Sequence, residues 1–293
     1  MTSEPAVWTV LRLLNWTKDY FGKAGIEDPR LSAEILLAHV LACKRIELYT
    51  RFDYQPTPAE LDQYRSLVQR ARQFEPIAYL VGRKEFYSLA LKITPDVLVP
   101  RPETELLVGE ALGHLRGLGR AGLAWDVCTG SGCVAVATAV NWADATVLAT
   151  DISPAAVAVA TENAAALGVA ARVRCRTADL LTLPEDCRDL KDFDVITANP
   201  PYVSANQGIS ETVKREPPAA VWGGKDGLDF IRPLIAAAPA VLRPGGLLAL
   251  EFGFGQADAV RDLIVAGGKF DEPRILRDHQ GIERAAAAVR RAS

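Results

Sequence analysis

The sequence predicts an α/β protein in which a largely parallel sheet follows a separate helical domain and a β-hairpin. Apolar residues recur at helical spacing up to about residue 82, and beyond about residue 103 short apolar runs alternate with Ala-rich helical segments. Strands that alternate with helices form a parallel sheet covered by helices on both faces. We therefore expect a helical domain over residues 1–82, a hairpin linker over 83–100 and an α/β domain over 101–293.

Three helices are expected in the N-terminal domain. The first repeats apolar residues from Val7 to Leu14 and ends near Gly22. The second opens at Asp28-Pro29. The third begins at Thr57-Pro58-Ala59-Glu60, because this run combines an N-cap residue, a proline at the first helical position and an acidic residue in the first turn. Together these helices predict a small bundle.

The rest of the chain predicts a hairpin followed by seven strands. Alternation with aromatic residues between Glu85 and Ile93 indicates the hairpin. Five strands are expected at Ala124–Cys128, Ala145–Thr150, Ala171–Arg176, Phe193–Ala198 and Leu247–Phe252. Two more are expected between Lys269 and Val289. The intervening helices include Pro154–Leu167 and Asp229–Val241.

Composition limits the classes of function. The chain has 293 residues, 49% of them hydrophobic, and a net charge of −3, which argues against a protein that holds long nucleic acid by charge alone. Its five cysteines lack the spacing of a zinc site or a disulfide framework, which indicates reduced thiols in a cytoplasmic protein. Met1–Pro5 lacks a signal-peptide pattern, and no membrane span is expected.

Three segments at strand ends predict a cofactor site. Asp126–Gly132 places small residues before a helix, where backbone N–H groups approach a ligand, although a plain tight turn has similar residues. Asp151 ends the second strand, where an acidic residue grips a ribose diol; the alternative role, a helix cap, suits Ser153 better. Asp179 follows the third strand and is placed to face an adenine ring, with a solvated loop position as the alternative.

Asn199-Pro200-Pro201-Tyr202, directly after the fourth strand, is the most informative motif. Each proline fixes φ and removes a backbone donor, so we expect the carbonyls of Asn199 and Pro200 to lack ladder partners. With the Asn199 side-chain oxygen they would accept hydrogen bonds from a planar NH2 group, and Tyr202 would form one wall of the slot. A strand-ending turn is the structural alternative. Together with the cofactor segments, the corner indicates methyl transfer from S-adenosyl-L-methionine to nitrogen.

Over almost its whole length the sequence resembles the HemK/PrmC family of protein-(glutamine) methyltransferases. The segments that carry the resemblance are Pro76–Gly82, Glu85–Tyr87, Pro100–Glu105, Asp126–Gly132, Asn199–Tyr202, Glu216-Pro217, Gly223–Leu228 and Pro244–Gly253. The Asn-Pro-Pro-Tyr motif is shared with adenine-N6 methyltransferases, so Pro100–Glu105 and the helical N-terminus narrow the family. Cys128 stands where the family usually has glycine, which changes little if φ is negative there.

The resemblance implies a Rossmann-like, seven-stranded class I fold that depends on S-adenosyl-L-methionine, yields S-adenosyl-L-homocysteine and needs no metal. The implied reaction methylates the glutamine amide in the Gly-Gly-Gln motif of class-I peptide chain release factors, which supports translation termination. The expected cofactor-binding residues are Cys128, Thr129, Gly130, Ser131, Gly132, Asp151, Asp179, Leu180 and Asn199. The expected catalytic residues are Asn199, Pro200 and Tyr202, and Pro201 joins them in binding substrate. We also expect a monomer whose helical domain recognises the release factor.

Two other functions remain compatible with the residues. An adenine-N6 methyltransferase acting on DNA or RNA would use the same corner to hold an exocyclic amine after base flipping, but the acidic balance argues against it. A non-catalytic, ribosome-associated protein with a relic cofactor fold is the other alternative. The intact Asp151 and Asn199 argue against that function.

Overall fold

The computed structural model describes residues 7–292, so the expectation for Met1–Pro5 lies outside the described residues. The chain divides into two compact units. One unit holds the chain up to Arg83 together with Ser210–Arg215, and the other holds Lys84–Ile209 together with the chain from Glu216 onward. Within residues 7–292, none of the helices has the length and apolar character needed to cross a bilayer.

The first unit is a helical bundle. Its helices are α1 (Val10–Ala24), α2 (Pro29–Val40), α3 (Pro58–Arg72) and α4 (Ile77–Val81). The predicted start of α3 is confirmed, since Thr57 and Glu60 form a reciprocal capping box in which each side chain bonds the other's backbone N–H. In the core, the Tyr64 hydroxyl donates to Thr17 Oγ1 at 2.9 Å, so the buried phenol is satisfied.

The second unit holds the hairpin and the sheet. The hairpin strands are β1 (Arg83–Phe86) and β2 (Leu89–Lys92). The sheet strands are β3 (Gly122–Val127), β4 (Ala145–Asp151), β5 (Val173–Thr177), β6 (Phe193–Ala198), β7 (Leu242–Glu251), β8 (Arg274–Arg277) and β9 (Glu283–Val289). The helices are α5 (Glu105–Gly117), α6 (Cys133–Asn141), α7 (Pro154–Ala166), α8 (Ile231–Val241) and α9 (Ala257–Ala266).

The seven strands form one sheet in the order β5-β4-β3-β6-β7-β9-β8. Strands β3 to β7 pair in parallel, and β9 runs antiparallel to both of its neighbours. This confirms the predicted Rossmann-like sheet. The chain winds outward from β3 to β5 and then returns to place β6 on the other side of β3. In open α/β sheets, ligands bind beyond the carboxyl ends of the strands at such a switch point.

Strand β7 begins earlier than predicted. Pro244-Gly245-Gly246 has the composition of a turn, yet the segment is part of the strand, which starts at Leu242. The Gly245 N–H donates to the Arg290 carbonyl and the Arg290 N–H donates to the Gly246 carbonyl, both at 2.8 Å. This long-range pairing, together with a register shift against β6 near Phe193, accommodates residues that local preference alone would assign to a turn.

Candidate active site

A cavity of about 390 Å³ opens at the carboxyl ends of β3, β4, β5 and β6, where the topology predicts a ligand site. Nine of the predicted site residues line it: Cys128, Thr129, Gly130, Ser131, Asp151, Asp179, Leu180, Asn199 and Pro201. Gly132, Pro200 and Tyr202 stand outside this wall. The structure therefore brings together segments from four strand ends that are far apart in sequence.

The loop after β3 is shaped by its glycines. Gly130 has φ 54°, and a Cβ built there would meet no other atom within 4 Å, so its backbone borders open space. Gly132 has φ 78° at the start of α6, and a Cβ there would stand 3.0 Å from the Ala160 Cβ. Gly132 therefore permits α6 and α7 to approach each other, which is a packing role behind the cavity wall.

Cys128 occupies the left-handed region, with φ 56°. The expectation that its departure from glycine matters little depended on a negative φ, and that condition does not hold. A side chain in this region is strained, whereas glycine adopts it without a steric penalty. The position therefore favours glycine for a backbone reason, and burial raises the pKa of the Cys128 thiol well above its ordinary range.

Asp151 lies at the end of β4 and borders the cavity. Its Oδ2 accepts from the Gly130 N–H at 2.9 Å and its Oδ1 accepts from the Ser153 N–H at 3.0 Å. Ser153 caps α7 by accepting from the Ala156 N–H, which confirms its predicted capping role; the ligand role of Asp151 stays a prediction. Burial raises the pKa of Asp151 against these backbone hydrogen bonds. The Ile152 N–H also bonds this carboxylate, which with about four acceptor sites keeps capacity for a further donor.

Asp126, which the sequence offered only as the start of the loop motif, is a buried acid in the cavity wall. Its two carboxylate oxygens accept from Thr129 Oγ1 at 2.6 Å and Thr197 Oγ1 at 2.7 Å. Burial raises the pKa of Asp126 to about 6 despite these hydrogen bonds. The carboxyl group thus ties the loop after β3 to the neighbouring strand β6.

Asp179 and Leu180 lie in the turn after β5. Asp179 is exposed, its carbonyl accepts from the Thr182 N–H at 2.9 Å, and both residues border the cavity. Leu180 has φ 44° and packs partly against the core of the sheet domain. An acidic side chain and an apolar side chain therefore stand together at one side of the cavity.

Asn199 begins the corner after β6, and its side chain is half-buried. Its Nδ2 donates to Thr104 Oγ1 at 3.1 Å. No donor to the carbonyl of Asn199 or of Pro200 is found among the loop and side-chain hydrogen bonds of residues 7–292. Pro200 and Pro201 are buried, so the corner is held in one conformation by ring constraints and packing.

Tyr202 points away from the cavity wall toward the sheet. Its hydroxyl donates to Glu251 Oε1 at 2.9 Å, and its carbonyl accepts from Gln256 Nε2 at 2.9 Å. Burial and the neighbouring Glu251 carboxyl raise the pKa of the Tyr202 hydroxyl well above its usual range, so the phenol stays protonated. In this structure the residue anchors the corner.

The loop Gly223–Gly227 packs against the back of the same corner. A Cβ at Gly223 would stand 2.6 Å from the Pro201 carbonyl oxygen, and one at Gly227 would overlap the Tyr202 carbonyl oxygen. The Gly223 N–H also donates to the Val203 carbonyl at 2.9 Å. This loop is therefore a packed support, and its glycines allow the backbones to approach closely.

Two segments of the cavity wall are joined by an ion pair between a half-buried arginine and a buried glutamate. The Arg101 guanidinium contacts the Glu216 carboxylate, and Glu216 Oε2 also accepts from the Val99 N–H at 2.9 Å. Pro100 and Pro217, adjacent to these two charged residues, both line the cavity. The predicted entrance segment therefore covers the cavity and is fastened to the later loop.

Two residues of the site were not singled out from the sequence. Thr104 lines the cavity, and Glu251 is a buried acid whose Oε2 accepts from Thr104 Oγ1 at 2.7 Å. The signal for Thr104 was its place within Pro100–Glu105. The signal for Glu251 was an acidic residue at the end of the apolar run Leu247–Leu250, because a buried carboxyl is rare without a dedicated partner.

Comparison with known proteins supports the family resemblance seen in the sequence motifs. The N-terminal family model, described as the PrmC N-terminal domain, matches residues 12–82, and the model described as the methyltransferase small domain matches residues 104–252. The release factor glutamine methyltransferase of Geobacter sulfurreducens is 40% identical, with 97% of this chain and 98% of that protein aligned. The protein of the same name from Moorella thermoacetica is 43% identical, with 91% and 93% aligned.

A solved structure supports the fold alone. The methyltransferase from Pyrococcus furiosus shares 20% identity with a TM-score of 0.52, and the match covers 79% of this chain and 99% of that one. The fold and the near full-length relatives agree with the resemblance seen in the motifs. The chain belongs to the release factor glutamine methyltransferase family.

Proposed function

We propose that this protein transfers a methyl group from S-adenosyl-L-methionine to the side-chain amide nitrogen of the glutamine in the Gly-Gly-Gln motif of class-I peptide chain release factors. The observation that carries the proposal is the Asn199 side chain, whose Nδ2 donates to Thr104 while the residue borders the cavity. The neighbouring carbonyls of Asn199 and Pro200 accept no loop or side-chain hydrogen bond from residues 7–292. Such acceptors match an NH2 group with two hydrogens. The names of the near full-length relatives support the same substrate.

The residues present fit S-adenosyl-L-methionine. The cavity volume of about 390 Å³ suits a ligand of that size. The free lone pairs of the Asp151 carboxylate suit a ribose diol, and Asp179 with Leu180 offers a polar and an apolar contact for an adenine ring. In the loop Cys128–Gly132, the N–H groups of Thr129, Gly130 and Gly132 already donate to protein acceptors. The loop would therefore contact the cofactor through the close approach of its backbone, which the open space at Gly130 allows. These residues, with Asn199, are our proposed cofactor contacts.

Catalysis of this methyl transfer depends mainly on how the protein positions the amide nitrogen and the methyl group. When bound, S-adenosyl-L-methionine supplies an electrophilic methyl group on a sulfonium. A glutamine amide nitrogen is a weak nucleophile because its lone pair is delocalised. Asn199 Oδ1 and the Pro200 carbonyl would accept hydrogen bonds from its two N–H groups. These bonds would direct the nitrogen toward the methyl group and favour the positive charge that develops there. One amide proton then leaves to solvent after transfer, so the product is a neutral N-methyl amide.

The helical unit is proposed as the substrate-recognition domain, and the domain boundaries 1–82, 83–100 and 101–293 are kept as a proposal. A protein substrate needs contacts beyond one glutamine side chain, since specificity comes from a sum of buried contacts. We further propose that the protein acts as a monomer in the cytoplasm, where it meets release factors during translation.

A substrate comparison tests the function. The purified chain is incubated with labelled S-adenosyl-L-methionine and, in parallel, with a class-I release factor, DNA or ribosomal RNA. Label on the glutamine of the Gly-Gly-Gln motif, located by mass spectrometry, is the expected result. Label on adenine alone would instead favour the adenine-N6 methyltransferase, and absence of cofactor binding in calorimetry would favour the non-catalytic alternative.

Asn199→Ala tests the central residue. We expect kcat to fall by about 10² to 10³, the loss typical for one preorganised electrostatic contact, while the thermal unfolding curve stays cooperative. Calorimetry with S-adenosyl-L-homocysteine reports whether the cofactor site remains. An Asn199→Ala protein that folds, binds cofactor and turns over at the wild-type rate would contradict the role given to Asn199.

A further inference from the structure

A continuous chain of hydrogen bonds leads from the corner into the interior of the sheet domain. Asn199 Nδ2 contacts Thr104 Oγ1 at 3.1 Å, and Thr104 Oγ1 contacts Glu251 Oε2 at 2.7 Å. The second oxygen, Glu251 Oε1, is held by the Tyr202 hydroxyl at 2.9 Å. Glu251 and Thr104 are buried, and Glu251 is not in the cavity wall, so this acid is placed to act through its neighbours.

The chemistry of these groups fixes which group donates and which accepts in each hydrogen bond. An ionised carboxylate has only acceptor sites, so the Thr104 hydroxyl must donate to it. That hydroxyl has a single hydrogen, and its oxygen can therefore only accept from Asn199. The amide must then turn its NH2 group toward Thr104 and its oxygen to the opposite side. This orientation follows from the partners and does not depend on how the amide atoms are assigned.

We propose that Glu251, acting through Thr104, is the positioning residue that selects the amide orientation of Asn199 needed to accept the substrate NH2 group. This inference rests on the proposed function of Asn199. With the opposite orientation, Asn199 would present its own NH2 to the substrate NH2, two donors facing each other, and the slot would reject the substrate. The same carboxylate holds Tyr202, so a single buried acid organises both ends of the corner.

Protonation of Glu251 would relax this selection. A neutral carboxyl can donate to Thr104, and Thr104 can then donate to the Asn199 oxygen, which permits the reversed orientation. Burial raises the pKa of Glu251 to about 7, against the Thr104 and Tyr202 hydrogen bonds; the Glu103 carboxyl raises it further and Arg284 on β9 lowers it. Ionisation of Glu251 near neutral pH therefore favours the productive orientation.

Two nearly isosteric variants interrupt the chain at different links. Thr104→Val removes the bridging hydroxyl, and we expect kcat to fall roughly tenfold to a hundredfold. Glu251→Gln keeps the shape but offers both a donor and an acceptor, so either amide orientation is permitted and a smaller decrease is expected. Thr104→Ser retains the hydroxyl and should restore most of the activity. The affinity for S-adenosyl-L-homocysteine, measured by calorimetry, should change little in any of them.

The double variant and the pH profile separate positioning from a general structural role. Glutamine keeps an acceptor oxygen for the Tyr202 hydroxyl, so Glu251→Gln is expected to disturb the corner only through Thr104. Thr104→Val with Glu251→Gln should therefore lose no more kcat than Thr104→Val alone. In the wild type, kcat should rise with pH through about 7, and this step should vanish in Glu251→Gln. Asp126, with its pKa at about 6, is present in both proteins and cancels in the comparison.

Asp194→Asn is the matched control, since Asp194 is also a buried carboxyl but pairs with Arg120 and Arg243 at the start of β6, the opposite end of the strand from Asn199. It should lower the unfolding midpoint and leave kcat and its pH profile unchanged. The inference would be overturned if Thr104→Val and Glu251→Gln kept the wild-type kcat and pH profile. Additive losses of kcat in the double variant would also overturn it. Failure of the wild type to methylate release factors would overturn the proposed function instead, and the variants would then be compared on adenine.

Discussion

At the scale of single residues, the clearest consequence of the structure concerns Cys128. Its φ of 56° carries a steric penalty that glycine avoids. We expect Cys128→Gly to be more stable than Cys128→Ala by about 1 kcal/mol, after allowance for the greater chain entropy of unfolded glycine. Both variants lose the thiol, so the comparison isolates the backbone. Urea unfolding at neutral pH measures the difference, and equal midpoints would contradict the strain.

Asp126 gives a pH dependence of stability. Its pKa in the folded protein is about 6, above the ordinary value of about 4 for an aspartate. The folded state therefore binds the proton more tightly than the unfolded state, and the protein loses stability as pH rises through this interval. From pH 5 to 7.5 the loss from this group is expected to be roughly 1 kcal/mol.

The measurement compares the wild type with Asp126→Asn, which does not titrate. The difference in unfolding free energy, taken from urea curves at several pH values, should shift in favour of the variant from pH 5 toward 6.5 and then level off. A difference that is constant with pH would show that Asp126 has an ordinary pKa.

From the sequence, the residues that meet at the site could be predicted better than their backbone conformations and hydrogen-bond partners. The cap role of Ser153 and the place of Asp151 at a strand end beside the cavity could be predicted, because cap preference and strand position are local properties. The positive φ of Cys128 could not, since its loop conformation is imposed by pairing with the neighbouring strand. Thr104 and Glu251 are separated by 147 positions in sequence, and their hydrogen bond exists only because the fold brings α5 and β7 together.

At the scale of elements, boundaries were predictable where local chemistry decides them. The capping box at Thr57 and Glu60 starts α3 as expected, and strand β6 has the predicted limits. The predicted start of β7 was wrong, because backbone hydrogen bonds to Arg290, which directly follows β9, hold Pro244-Gly245-Gly246 in the strand. Such pairing overrides the local turn preference of proline and glycine.

The loop Gly223–Gly227 supplies a test of how one element supports another. Gly227 has φ 81°, and a Cβ there would overlap the Tyr202 carbonyl oxygen. We expect Gly227→Ala to displace the corner and lower kcat at least tenfold, because small misplacements of a reacting group are costly. Gly245→Ala is the control, since Gly245 has φ 79° but open space around a Cβ. Steady-state kinetics should therefore separate the two; equal kcat values would contradict the supporting role.

At the scale of the whole molecule, the corner Asn199–Tyr202 does not by itself distinguish an amide substrate from an amine substrate. The hydrogen-bonding pattern of Asn199 and Pro200 suits an amide or an exocyclic amine equally well. What distinguishes this family is the helical unit, matched over residues 12–82. The two units therefore divide the work in our proposal, with chemistry in the sheet domain and recognition of the release factor in the helical bundle.

The exposed aromatic side chains on α1 and just before it provide the corresponding prediction. Trp16 is 49% exposed and stacks on Tyr20, with ring centroids 5.0 Å apart, and Trp8 meets it edge-on. Exposed aromatic clusters are typical of protein interfaces. We expect Trp16→Ala to raise KM for the release factor roughly tenfold, the loss of about 1.4 kcal/mol of binding, and to leave kcat unchanged.

A short peptide containing Gly-Gly-Gln serves as the second substrate for this variant, because it engages the corner but is too small to depend on the bundle. Its turnover should be the same in Trp16→Ala and the wild type. Val265→Ala, at a 47% exposed apolar position on α9, is the matched control and should alter neither substrate. If Trp16→Ala reduces turnover of the peptide and the release factor equally, the bundle stabilises the catalytic unit rather than binding the protein substrate, and the division of roles between the two units is refuted.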